Sequence, residues 1–129
     1  MHELSVIDSI DDTLSGTTIE KVTTLVNNAV ASKGANLENP RRYKALMEEA
    51  GFVDVKQKLI QFPFGPWGKS AYHKKLGAWY QRHLVGQAEG LMKVFLGRML
   101  GMSDEEVAKL SKDLKRDHLD PKIHAYHEL

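Results

Sequence analysis

In the stretch Ser70 to Leu100, SAYHKKLGAWYQRHLVGQAEGLMKVFLGRML, the residue best suited to moving a proton near neutral pH is His83. An unperturbed imidazole titrates at about 6.5. Tyr80 stands three positions before it and Gln87 four after, so one helix would bring a hydroxyl and an amide beside the ring. Tyr72 and Trp79 fall on the same stripe, and Trp67 lies on the loop just before it. Those rings could wall an apolar pocket. Gly86 and Gly90 remove side chains from the stripe, at a cost of about 1 kcal/mol each relative to alanine in a helix. Something is therefore expected to come close to the backbone there, either a neighbouring helix or a bound molecule. As a site, His83, Tyr80 and Gln87 would supply general acid–base and hydrogen-bonding groups, and Trp67, Tyr72, Trp79, Gly86 and Gly90 would hold an apolar substrate. A plainer reading stands beside this. A single helical histidine is more often a surface or core residue than a catalytic one, and close helix packing explains the glycines equally well.

Other constellations are weaker. Asp11 and Asp12 read as a solvated turn, because no histidine or third carboxylate lies at ligand spacing in sequence. His124-x-x-His127 cannot place both rings on one strand face, so a zinc site is disfavoured. His2 and His73 are isolated. Gly65-x-x-Gly68-Lys69-Ser70 lacks the GxxxxGK[ST] spacing of a phosphate cradle. The chain has no cysteine, which excludes disulfides and thiolate metal sites.

The elements that must position these residues follow from periodicity. At about 100° per residue, Leu84, Ala88, Leu91, Met92, Phe95, Leu96 and Met99 share the face opposite the glycine stripe, which is the expected core face. The stretch is expected to be one long helix, with Gly86–Gly90 as the place for a break. His2 to Ser9 reads as a strand. Thr17-x-x-Glu20 is a capping box ahead of Ile19, Val22, Leu25, Val26, Ala29 and Val30. Asn39-Pro40 starts a second helix with Tyr43, Leu46, Met47 and Ala50 as its buried side, closed by Gly51 and Phe52. Phe52 to Phe62 reads as a strand stopped by Pro63. Ser103-x-x-Glu106 caps a last helix burying Val107, Leu110 and Leu114, and Met102 with Val107 suits a hydrophobic staple. Lys112, Lys115 and Arg116 then form a solvated basic helix end. Lys122 to Leu129 is a short strand. The order is β-α-α-β-α-α-β, in one domain spanning residues 1–129.

The chain's 129 residues suffice for one modest core. With 42% hydrophobic and 27% charged residues it has globular composition, and a net charge of +1 gives no electrostatic reason to expect nucleic acid or an anionic membrane. No apolar run reaches membrane length. The expected location is the cytoplasm, with the nucleus as the alternative.

YKALMEEAGFVDVKQKLIQFPFGPWGKS, KKLGAWYQRHLVGQAEGLMKVFLGRMLGMSDEEVAKL and KIHAY together resemble the C-terminal half of fungal methyltransferase-like proteins of secondary metabolism. That family includes a nuclear regulator of secondary metabolite clusters. The AGF-DV strand entry, the P-G-W-K loop and the closing IHAY carry most of the likeness. The resemblance implies an α+β fold: a small three-stranded sheet with about four helices, the remnant of a class I S-adenosylmethionine-dependent methyltransferase fold from its fifth strand onward. The cofactor-holding half has no counterpart, so no cofactor or catalytic residue of the family transfers, and neither a cofactor nor a metal is expected. The first strand would lack its neighbour, which predicts a homodimer covering the edge at Glu3 to Ser9. For function, the expectation is a cofactor-independent cyclase or isomerase acting on an apolar small-molecule intermediate. The alternative is a non-enzymatic interaction or regulatory subunit that partners a methyltransferase or a regulatory complex.

Overall fold

The computed structural model describes residues 7–35 and 39–128. His2 to Val6 of the first expected strand, and Leu129 of the last, lie outside the described residues. The architecture is α+β. A three-stranded antiparallel sheet of β1 (Ile7–Ser9), β2 (Gln61–Pro63) and β3 (Ala125–Glu128) accompanies four helices, α1 (Thr18–Ala31), α2 (Tyr43–Glu49), α3 (Ala71–Met92) and α4 (Asp104–Leu119). A 3-10 turn at Asn39–Arg42 leads into α2, and a π-helical segment at Lys93–Met99 continues α3.

The last strand lies in the middle. β3 pairs with β1 in the register Asp8 to Tyr126 and with β2 in the register Phe62 to His127. β1 and β2 therefore each have one described neighbour. This tolerates Pro63, which has no N–H to give a second partner. The next residue continues the contact, as Phe64 N–H donates to Ala125 C=O at 2.8 Å.

Most of the Phe52 to Phe62 stretch is not strand. Only Gln61–Pro63 pairs, while Asp54 takes a positive φ of 56° and Phe52, Val53 and Leu59 are exposed. β-Propensity expresses fit to a half-buried pleated surface, and these side chains have no neighbouring strand or layer to fit.

The helix ends follow their sequence signals. Thr17 Oγ1 accepts from Glu20 N–H at 3.2 Å, but the Glu20 carboxylate reaches back to Gly16 N–H instead of Thr17, so only half the box forms. At α4 both halves of the Ser103–Glu106 box form. Ser70 caps α3 through His73 N–H at 3.1 Å. Gly51, at φ +93°, closes α2 with Gly51 N–H on Glu48 C=O and Phe52 N–H on Met47 C=O, each 3.0 Å.

The core joins α1, α3, the π segment and α4 over the sheet. Ile19, Val22, Phe64, Ala88, Met92, Leu96, Val107, Leu114 and Ala125 form one buried cluster. Ile19, Leu96 and Val107 are fully buried, each contributing about 1.5–3 kcal/mol by leaving water. The expected inner face of the long helix holds at Ala88, Met92 and Leu96. The irregularity in that helix is the π segment, beyond Gly86–Gly90 rather than at them. By contrast, α2 buries none of its residues: Leu46 and Met47 are exposed, against the expectation of a packed side.

Candidate interaction surface

α3 divides the expected site residues into two groups. Tyr80 faces inward. Its hydroxyl lies 2.5 Å from His127 Nδ1, and its ring packs with Phe62, Phe64 and His127 at centroid distances of 5.5, 5.8 and 5.8 Å. Phe64 also meets the edges of His118 and His127 at 5.1 and 5.0 Å. Burial pushes Tyr80 up to about 12 and both His118 and His127 down to about 4, with the charge on His118 adding to the effect at His127 and Asp117 opposing it at His118. Both imidazoles are therefore neutral near pH 7, and the Tyr80 hydroxyl shares a hydrogen bond with His127 Nδ1 whose direction follows the imidazole tautomer. The sequence signal for this cluster was Phe62-x-Phe64, two aromatics on one strand face, with His127 directly across from Phe62.

The other group faces solvent. Tyr72 is 67% and Trp79 72% exposed, and His83 and Gln87 are exposed too. A Cβ added at Gly86 or Gly90 would meet nothing within 4 Å. His83 stacks on the outer side of Tyr80, with ring centroids 6.2 Å apart and planes 13° from parallel. The expectation that these residues enclose a pocket is corrected: among the described residues they form an open helix surface. The glycine that is needed for close approach is Gly77, where a Cβ would overlap the Gly65 carbonyl.

Trp67 is separate from this face. With Gly65, Pro66, Gln81, Leu119, Asp120 and Pro121 it lines a half-open cleft of about 240 Å³. Gln81 is tied down by donating to His118 C=O at 2.5 Å. Trp67 also packs on His124, whose Nδ1 lies 2.6 Å from Asp11 Oδ2. Asp11 is exposed in a turn, as expected, and is in addition bonded to His124. Hydrogen bonds from His124 and then Thr13 lower its pKa. Sequence spacing hid this pair because 113 positions separate its members. No group of three or more metal-ligating side chains occurs among the described residues, and no described helix is long and apolar enough to cross a membrane.

At the β1–α1 turn two backbone donors are committed, Gly16 N–H to Glu20 and Thr18 N–H to Asp117. At the β2–α3 turn Gly65 and Gly68 pack against Gln81 and His73, with 3.2 and 2.6 Å left for an added Cβ.

These surfaces sit on a chain whose relatives are fungal methyltransferase-like proteins that regulate secondary metabolism, as the sequence resemblance implied. The chain is 31% identical over 87 residues to the secondary metabolism regulator laeA of Gibberella zeae, which covers 67% of this chain and 28% of that protein. It is 28% identical over 89 residues to the secondary metabolism regulator LAE1 of Cochliobolus heterostrophus, covering 68% of this chain and 29% of that protein. It is 25% identical over 83 residues to the protein-methionine methyltransferase laeA of Emericella nidulans, covering 64% and 22%. The chain thus spans less than a third of the length of these curated relatives. No family model and no solved structure matches it. The relatives' names are those of regulators and of a protein methyltransferase, so the expectation of a cyclase or isomerase is overturned.

Proposed function

We propose that this chain is a non-enzymatic interaction module of secondary-metabolism regulation, which partners a methyltransferase or a regulatory complex inside the cell. The observation that carries the reading is the outward placement of Tyr72, Trp79, His83 and Gln87 on one open surface, in a chain related to regulators. Exposed Leu46, Met47, Phe52, Val53 and Leu59 on α2 and the segment after it add further apolar surface. The three strands and their two open edges fit the late part of a class I methyltransferase fold, which we take as the origin of the architecture. The test is deletion of the gene in the organism that encodes it, followed by metabolite profiling and complementation. Several unrelated secondary metabolites are expected to fall together. Loss of one compound with build-up of an isomer of equal mass would count against the module.

The side of β1 that has no strand neighbour among the described residues favours a second, compatible reading, in which two copies pair along Ile7–Ser9. Light scattering during gel filtration is expected to give a dimer mass, and a monomer at micromolar concentration would remove this part of the reading.

A further inference from the structure

We propose that the outward face of α3 docks an acidic, amphipathic helical segment of another protein, a partner class that deepens the module reading and rests on it. At about 100° per residue, Tyr72, Lys75, Trp79, Arg82 and His83 fall within one stripe of this helix. The two aromatic rings stand out from it, 67% and 72% exposed, one helical stretch apart. Lys75 and Arg82 flank Trp79 and are exposed; among the described residues neither forms an ion pair. The single acidic residue of α3, Glu89, is already held by Lys93 at 3.0 Å and Lys115 at 3.8 Å. The face therefore offers two exposed rings with two unpaired cations along one margin. Its complement is a helix with Leu or Phe on one side and Asp or Glu along one margin. The open backbone at Gly86 and Gly90 lets such a helix lie close as it passes the C-terminal half of the face.

Charge separates this occupant from the alternatives. A second copy would bring Lys75 and Arg82 against the same cations of its partner. Nucleic acid affinity grows with the number of phosphates neutralised, and two free cations on a chain of net charge +1 supply few. A membrane-lying helix must turn its broad apolar side to lipid, whereas α3 uses that side for the core.

The chain contains two tryptophans, Trp79 on the face and Trp67 off it, so their indole N–H signals in a nitrogen–proton correlation spectrum give a probe and an internal folding control. The intact chain is titrated with a synthetic peptide of about 18 residues, five helical turns, with Leu and Phe on one face and Glu on the other. A peptide with Lys for every Glu, a short DNA duplex and phosphatidylserine-containing vesicles are run beside it. The acidic peptide is expected to move the Trp79 signal and leave Trp67 in place. Its Kd should lie on the order of 1–100 μM and weaken with salt. Trp79→Ala, read by backbone signals of Lys75 and Arg82, and the double variant Lys75→Glu, Arg82→Glu are each expected to weaken binding at least about tenfold, with the Trp67 signal unchanged. The proposal is overturned if the acidic peptide leaves Trp79 unmoved, if the lysine peptide binds equally well, if DNA or vesicles move Trp79 and the acidic peptide does not, or if Trp79 responds only to dilution of the protein itself. Failure here would leave the deletion phenotype standing, so the two readings fall separately.

Discussion

Tyr80 and His127 meet in a pocket of low polarity that pushes their pKa values apart, to about 12 and about 4, and so keeps both groups neutral. Tyr80→Phe removes the hydroxyl and leaves His127 Nδ1 facing aromatic rings. An orphaned buried polar group costs about 1–3 kcal/mol, so the urea midpoint should drop accordingly while the slope stays constant. The histidines also set a pH dependence. His118 and His127 hold protons more weakly folded, at about 4, than unfolded, at about 6.5. Between those values the unfolded chain binds more protons, so stability is full above pH 6.5 and falls as the pH drops toward 4. The slope approaches about 1.4 kcal/mol per pH unit for each histidine. Denaturant melts from pH 7.5 to 4.5 should trace that decline, and His118→Gln should make it shallower.

At the scale of elements, the glycines of α3 divide by surroundings and not by spacing. Gly77 lies buried against the Gly65 carbonyl, so Gly77→Ala must displace the β2–α3 loop, costing about 1–3 kcal/mol or more. Gly86 and Gly90 face open space, so Gly86→Ala and Gly90→Ala should each stabilise by about 1 kcal/mol through helix propensity. Thermal melts of the three variants should show one lowered midpoint and two raised. The sequence could not make this division. A helical repeat places residues on faces, but what lies over a face depends on distant segments, here a loop twelve residues upstream in the chain. Capping boxes, the Gly51 closure and the apolar face of α1 were legible because their causes are local. The strand at Phe52 to Phe62 misled because its β-rich residues lack a neighbouring layer, and the buried side expected for α2 failed for the same reason. The aromatic–histidine cluster was hidden because it assembles Phe64, Tyr80, His118 and His127 from β2, α3, α4 and β3.

The whole molecule is unevenly tied together. α1, α3, the π segment and α4 share the core, and extended contacts link α3 to α4 and to β2, and α1 to α4. Polar ties reinforce this body: Asp117 accepts from Thr18 N–H, and Asp11 holds His124 at the entrance to β3. The extended contacts of α2 are with the 3-10 turn before it; in that region Gln57 donates to Pro40 C=O, and Arg41 holds Glu128 through Nε at 3.0 Å and Nη2 at 2.9 Å. Local opening is easiest where apolar burial is small, so the Asn39–Leu59 region should open well before the core does. Native-state hydrogen exchange should find the amides of Tyr43–Glu49 exchanging at a fraction of the global unfolding free energy. Amides at Met92, Leu96, Val107 and Leu114 should exchange only through global unfolding. A partner that covers Leu46, Met47, Phe52 and Val53 would selectively slow exchange in α2, because its binding energy would add to a local opening equilibrium that the core does not share. If instead α2 proved as protected as α3 in the isolated chain, Asn39–Leu59 would be part of the core unit, and its exposed apolar side chains could not be read as a face awaiting a partner.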